Sequence, residues 1–229
     1  KNGIKDFFSG IDLSDDIHIE ERNEGRRTGS ALVFFASQDD AQSAKKEAGK
    51  EGLQIAGSFA PLEASYISEF QLGFDEMVAE FRELIDLLDP YVDIYLGETF
   101  STTLESKAFL TASAGRKKPT WVSWTLHDHG DKHLRGEETL SEAISSLKGF
   151  SPDAVLINCC KPESIDKMIP QLKTAGLVFG GYGNGFTEVP DSWEGEDNTI
   201  KIMSREDLSP EVYATHALNW VKEGASIVG

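Results

Sequence analysis

The chain has little sulfur, a deficit of positive charge and no long apolar run. Of its 229 residues only two are cysteines, and they are neighbours, Cys159 and Cys160. Adjacent cysteines make no disulfide framework, so a reducing, cytoplasmic setting is expected. Twenty-two basic residues stand against 39 acidic ones, a net charge of -17. Such a surface repels phosphate backbones and anionic lipid, so neither nucleic acid nor a membrane is expected as a partner. No apolar run approaches the roughly 20 residues that span a bilayer, and Lys1 to Gly10 is not a basic-then-apolar leader. There is no G-x-G-x-x-G after an early strand and no phosphate loop ending in Lys-Ser/Thr. A nucleotide-binding fold therefore has no positive support.

What is present from residue 53 onward is an alternation of short apolar runs with amphipathic stretches. Strands are predicted at Leu53–Phe59, Val92–Leu96, Thr120–Leu126, Ala154–Asn158, Leu177–Tyr182 and Ala225–Val228. Between them, Gln71–Asp89 carries Phe74, Met77, Val78, Phe81, Ile85 and Leu88 at three-to-four spacing, the period of a helix. Further helices are predicted over Leu104–Ala114, Glu137–Lys148 and Ser164–Thr174, the last with a kink at Pro170. Ser209-Pro210 opens a final helix, a capping residue followed by Pro at the first helical position, and Gly224 ends it. Unbroken apolar strands alternating with helices mean a parallel sheet covered by helices; the pattern alone leaves both a barrel and an open doubly wound sheet standing. Residues 1–52 read as an atypical segment packed on a barrel formed by 53–229, a single domain overall. Within that segment Ile17–Arg27 is highly charged, Ala31–Phe35 is one plausible strand, and Gln38–Lys50 is a polar helix.

The chemistry-bearing residues cluster at predicted strand ends: Ser58, Glu98, Asn158, Cys159, Tyr182 and Asn184. Barrel enzymes place their sites there. Cys159 and Cys160 cannot both face one metal unless the strand has already ended, because successive strand residues point to opposite faces. Burial as small apolar side chains is an equal reading for the pair. Glu98 inside a barrel mouth is costly unless it meets a cation, such as a substrate ammonium. His127-Asp128-His129-Gly130-Asp131-Lys132-His133 reads as a solvated loop sooner than as a metal centre. Gly180–Phe186 is a glycine-rich strand end where backbone can approach a ligand. Trp121 and Trp124 are taken to share a face, with core packing favoured over a cradle for a methylated cation.

In this order, Ala56-Gly57-Ser58-Phe59-Ala60-Pro61, Gly97-Glu98-Thr99-Phe100 with Glu105, Leu134-Arg135-Gly136-Glu137, Ile157-Asn158-Cys159, Tyr182-Gly183-Asn184 and Glu223–Gly229 resemble the motifs of the homocysteine S-methyltransferase family. The resemblance covers roughly residues 53–229. It implies a (β/α)8 TIM-type barrel, with the N-terminal strands and the C-terminal Cys-pair segment missing or altered. The family's "D-G-G" opening strand and "T-N-T-Y" second strand are not matched, and the chain stops at or just before its "G-G-C-C". The activity implied by the resemblance is a zinc-dependent transfer of methyl from a sulfonium or quaternary ammonium donor to the homocysteine thiolate, giving methionine. Cys159 would be a zinc ligand alongside two later thiolates. Glu98 would hold the amino group of homocysteine, while Ser58, Asn158, Tyr182 and Asn184 would line the pocket. The expected partners are small molecules, homocysteine and a methyl donor, with a homo-oligomer left open. The alternative is a metal-free relative that binds small molecules or serves as a scaffold. An open-sheet adenosylmethionine enzyme would need a glycine-rich turn after the first strand, which the chain lacks.

Overall fold

The computed structural model describes residues 13–22, 26–35, 38–50, 52, 54–128, 133–190 and 203–229. Leu53, His129 to Lys132 and the Lys1–Gly10 stretch lie outside the described residues. The chain divides into two compact units, one within Lys1–Gly57 and Leu88–Asp93, the other within Ser58–Leu87 and Ile94–Gly229.

The first unit holds two antiparallel strands, β1 (Leu13–Arg22) and β2 (Arg26–Phe35), and helix α1 (Gln38–Lys50). The apolar pattern predicts one strand here, at Ala31–Phe35; it pairs with a second one drawn from the charged stretch. A polar, charged strand carries no continuous apolar signal, which hides it from a hydrophobicity reading. Helix α1 is where the sequence puts it. Lys45 bonds the Val92 carbonyl and pairs with Asp93 at 3.1 Å, and the Asp93 carboxylate accepts from the Ile55 amide at 3.0 Å.

The second unit is organised on one six-stranded sheet. Its strands are β3 (Ala56–Phe59), β4 (Ile94–Phe100), β5 (Thr120–Trp124), β6 (Ala154–Asn158), β7 (Val178–Tyr182) and β8 (Ile227–Val228), in the order β3-β4-β5-β6-β7-β8. The pairs from β4 to β8 are parallel. Sequence order and spatial order coincide, so every crossover moves in one direction. A doubly wound sheet reverses direction at its switch point, and no reversal occurs here. The sheet is the curled half of a barrel-type fold. The ring of eight strands expected from the resemblance is not what the described residues display: six lie in this sheet, and β1 and β2 form a separate antiparallel pair.

The helices are α2 (Phe74–Leu88), α3 (Thr103–Ser113), α4 (Leu140–Ser146), α5 (Pro162–Leu172) and α6 (Pro210–Glu223). Their ends are written in local chemistry. Thr102 with Glu105 and Thr139 with Glu142 form capping boxes at α3 and α4, each satisfying otherwise orphaned amides. Ser209 caps α6, Pro210 occupies its first turn, and Gly224 ends it at φ 105°, a conformation that favours glycine. Pro170 lies inside α5 without ending it.

All five residues of β6 are buried, as expected of a strand sandwiched between helix layers. Phe59, Phe81, Phe100 and Phe109 form an aromatic cluster with centroid separations of 5.3–5.9 Å. A Cβ at Gly97 would lie 2.5 Å from the Phe109 ring, so this cluster demands glycine there. At Gly180 a Cβ would meet the Ile227 carbonyl at 1.8 Å, so the closeness of β7 and β8 demands it too. Trp124 is fully buried and Trp121 is not. The two do not share a face, since residues three apart on a strand point to opposite sides; the expected shared face is thereby corrected, while Trp124 packs in the core as favoured.

Candidate active site

The carboxyl ends of β4, β5, β6 and β7 converge, and each contributes a polar side chain. Strand β6 ends at Asn158, so Cys159 already lies outside the ladder, with φ 51°. That left-handed turn separates the two thiols. Cys160 is fully buried, while Cys159 stays part-exposed at the sheet's edge. The pair therefore divides into one core residue and one site residue.

Asn158 is fully buried and crosses three strands. Its Oδ1 accepts from the Thr99 amide at 2.9 Å and from Ser123 Oγ at 2.6 Å, while its Nδ2 donates to Thr99 Oγ1 at 2.8 Å. Thr99 can reach it because β4 bulges between Gly97 and Phe100 and Thr99 itself takes φ 63°. A β-branched residue in that region is strained, and such strain persists only where surrounding contacts hold it. Here the Asn158 amide group does so.

On the exposed side of this strap, the Tyr182 hydroxyl donates to Glu98 Oε2 at 2.6 Å. Burial, then the adjacent Glu98 carboxylate, push the Tyr182 phenol far above its ordinary range, so it is a permanent donor. Burial also raises the Cys159 thiol, opposed by hydrogen bonds from Thr99, Asn158 and Tyr66. Without a further cation this sulfur is a protonated thiol at neutral pH, not a nucleophile. Asn184 fastens the strand ends together: its Nδ2 donates to the Cys159 carbonyl at 2.9 Å and its amide to the Cys160 carbonyl at 3.0 Å. Ser58 lies exposed on β3. The structure thus gathers Glu98, Asn158, Cys159, Tyr182 and Asn184 at neighbouring strand ends, with the polar atoms of Asn158 and Asn184 engaged by other parts of the protein.

Sequence reasoning misses four participants. Thr99 and Ser123 are ordinary strand residues whose role depends on register. Tyr66 sits in the loop after β3 with φ 71° and no periodic signal. Arg135 enters the sequence pattern only as part of a loop motif. Its guanidinium is buried, lies 4.7 Å from the centroid of the Tyr66 ring and pairs with buried Asp128 at 3.4 Å. Of the histidine stretch, His127 is buried with Nε2 3.4 Å from Glu137, and His133 forms an isolated antiparallel bridge with Thr139.

Among the described residues no three His, Cys, Asp or Glu side chains come together as a group that could hold a metal ion. Cys159 is one donor where a tetrahedral zinc site takes three or four. The described residues alone do not fit such a site.

A singly wound parallel sheet with its polar residues at the carboxyl edge defines a TIM-type class of fold. Solved structures agree with that class. Homocysteine methyltransferase MmuM from Escherichia coli, in its metallated form, superposes with a TM-score of 0.61 at 21% identity over 83% of this chain and 65% of that one. Its apo form gives 0.58 at 21% identity, over 83% of this chain and 67% of that one. The carboxyl transferase domain of Rhizobium etli pyruvate carboxylase gives 0.52 at 11%, over 83% of this chain and 29% of that one. At these identities the likeness is one of fold. The chain spans about two thirds of the length of MmuM (65% of the metallated structure). A comparison with curated proteins finds no match. The family's sequence profile matches residues 16–229, and the chain belongs to the homocysteine S-methyltransferase family. The match extends nearly forty residues further toward the amino terminus than the motifs alone indicate (residue 16 against 53). No helix among the described residues is long and apolar enough to cross a membrane.

Proposed function

We propose that the protein takes part in methyl transfer to the sulfur of homocysteine, from a sulfonium or quaternary ammonium donor, giving methionine. The observation that carries the reading is a part-exposed Cys159 turned out of β6 beside the Glu98–Tyr182 pair, in a chain of this family. In this reading the free lone pairs of Glu98 receive the homocysteine ammonium. A carboxylate keeps its charge in a half-buried cleft at least cost when it faces a cation. The Tyr182 hydroxyl holds that carboxylate in one rotamer. Asn158 and Asn184 keep the strand ends in register, and Ser58 lines the far wall. Orienting two substrates in one cleft supplies much of the rate, because it replaces a bimolecular encounter by a fixed approach.

The family resemblance brings zinc, with Cys159 as one ligand. The remaining ligands are not among the described residues. The test is elemental analysis of the full-length protein. Near-equimolar zinc that falls sharply in Cys159→Ser supports the assignment, and equal metal in both removes Cys159 from the site. A second reading is a metal-free relative that binds small molecules. It predicts no stoichiometric zinc and no methyl transfer, with homocysteine binding retained.

A further inference from the structure

Arg135 is a buried cation with no place in the reading above, yet it contacts the loops after β3 and β7 and pairs with Asp128 in the loop after β5. Its Nη1 and Nη2 each donate to the Val189 carbonyl at 3.2 Å, and Nη1 also reaches the Pro190 carbonyl at 3.5 Å. Its Nη2 faces Asp128 Oδ2 at 3.4 Å. Asp128 in turn accepts from the Val189 amide at 2.8 Å and, through Oδ1, from the Lys161 amide at the start of α5 at 2.9 Å. The loops after β5, β6 and β7 are therefore joined at one buried ion pair. The remaining face of the guanidinium lies against Tyr66, from the loop after β3, 4.7 Å from the ring centroid. Tyr66 is held at φ 71°, a conformation a bulky residue leaves unless contacts keep it there. The contact that keeps it there is Arg135 on the ring, and its hydroxyl is near enough to Cys159 for each group to bear on the other's protonation.

We propose that Arg135 is a positioning residue: by stacking on the Tyr66 ring it holds the Tyr66 hydroxyl against Cys159, and through Asp128 and Val189 it ties that contact to the loops after β5, β6 and β7. Planarity is essential to this role. A guanidinium stacks on a ring and forks to two carbonyls at once; an ammonium of equal charge does neither as well. The kinetic half of the test rests on the methyl-transfer reading, and the structural half does not.

The test compares Arg135→Lys, Tyr66→Phe and the double variant in the full-length protein. Lys keeps the charge opposite Asp128, which protects folding, and Phe keeps the ring but removes the hydroxyl. Hydrogen exchange followed by peptide mapping should quicken in the 60–73 loop of Arg135→Lys by about tenfold, with the α3 and β6 peptides unchanged. In turnover with homocysteine, Arg135→Lys and Tyr66→Phe should each lower kcat about tenfold, with KM within about twofold; misplacing a group by about 1 Å costs up to about 100-fold. The double variant should be no slower than Tyr66→Phe. Unchanged exchange in the 60–73 loop overturns the proposal, and so do kcat losses that multiply in the double variant. Should the parent show no turnover, the methyl-transfer reading fails, and the exchange result alone decides for or against Arg135.

Discussion

Replacing Asn158 by Ala tests whether this residue is a strap between strands or a ligand for substrate. In the folded protein its side chain is wholly buried and makes three hydrogen bonds, two of them to Thr99 and one to Ser123. The losses are unequal. The Ser123 hydroxyl can rotate toward Tyr182, with which it already interacts, and the Thr99 hydroxyl can also turn. The Thr99 amide cannot, because its direction is fixed by the bulge in β4. An orphaned buried donor costs about 1–3 kcal/mol. The space left by a carboxamide adds roughly 1 kcal/mol, on the scale of about 24 cal/mol per Å3 of cavity. The sum is about 2–4 kcal/mol. For a chain of this size each 1 kcal/mol moves Tm by about 2–4 °C, so Tm should fall by about 4–16 °C in calorimetry. Ser123→Ala should cost much less, and in the Asn158→Ala background nearly nothing, because the two share one bond. A loss under about 1 kcal/mol, or costs that simply add, would refute the strap. A raised KM for homocysteine at unchanged Tm would restore Asn158 to the pocket wall.

Glu98→Gln should leave the fold intact, since the Tyr182 hydroxyl keeps an acceptor, yet raise the homocysteine KM by at least about tenfold; saturation kinetics checks this. Glu105 carries a clear pH signature. Burial pushes its carboxyl up to about 8, against the hydrogen bonds it accepts from Thr102 and Ser101. The folded chain thus holds this proton more tightly than the unfolded chain, whose value is near 4.5. Its contribution to stability is full below that lower value and is lost as pH rises toward about 8. Denaturant melts across pH 4–9 should lose part of this slope in Glu105→Gln. Gly180→Ala places a methyl group on the Ile227 carbonyl; it should detach β8 from β7 and expose its amides to exchange. Phe81→Ala, which removes a fully buried ring packed on Phe100 and Phe109, should cost about 3–5 kcal/mol in equilibrium unfolding.

Much of the second unit is legible in the sequence because burial on both faces writes itself as unbroken apolar runs. Ala154–Asn158 is a strand with the very ends expected. The helix after it begins earlier than the apolar spacing implies, at Pro162, because Pro in a first turn starts a helix without adding to its apolar period. Strand β4 runs on to Phe100, past the polar Glu98 and Thr99 that a hydrophobicity reading takes for a loop. The first unit is half hidden, since β1 pairs through backbone bonds that its charged side chains do not advertise. At the site, the residues that resemble family motifs are found by their order along the chain. Tyr66, Ser123 and Arg135 are not, because their importance lies in which distant atoms they meet: 4.7 Å from a ring in one case, 2.6 Å from an amide oxygen in another. Separations of that kind have no periodicity for a sequence to carry.

The two left-handed residues at neighbouring strand ends, Thr99 and Cys159, set a limit on how this protein can be improved. Glycine at either position would relieve the backbone and, on conformational grounds alone, favour the folded state. It would also delete the hydroxyl that meets the Asn158 amide group, or the sulfur itself. At residue 99 the orphaned Asn158 donor would offset that relief, so a selection for heat resistance alone should drift toward glycine at residue 159 and empty the cleft of its sulfur, whereas a selection that also demands turnover should keep both strained side chains and find its gains elsewhere.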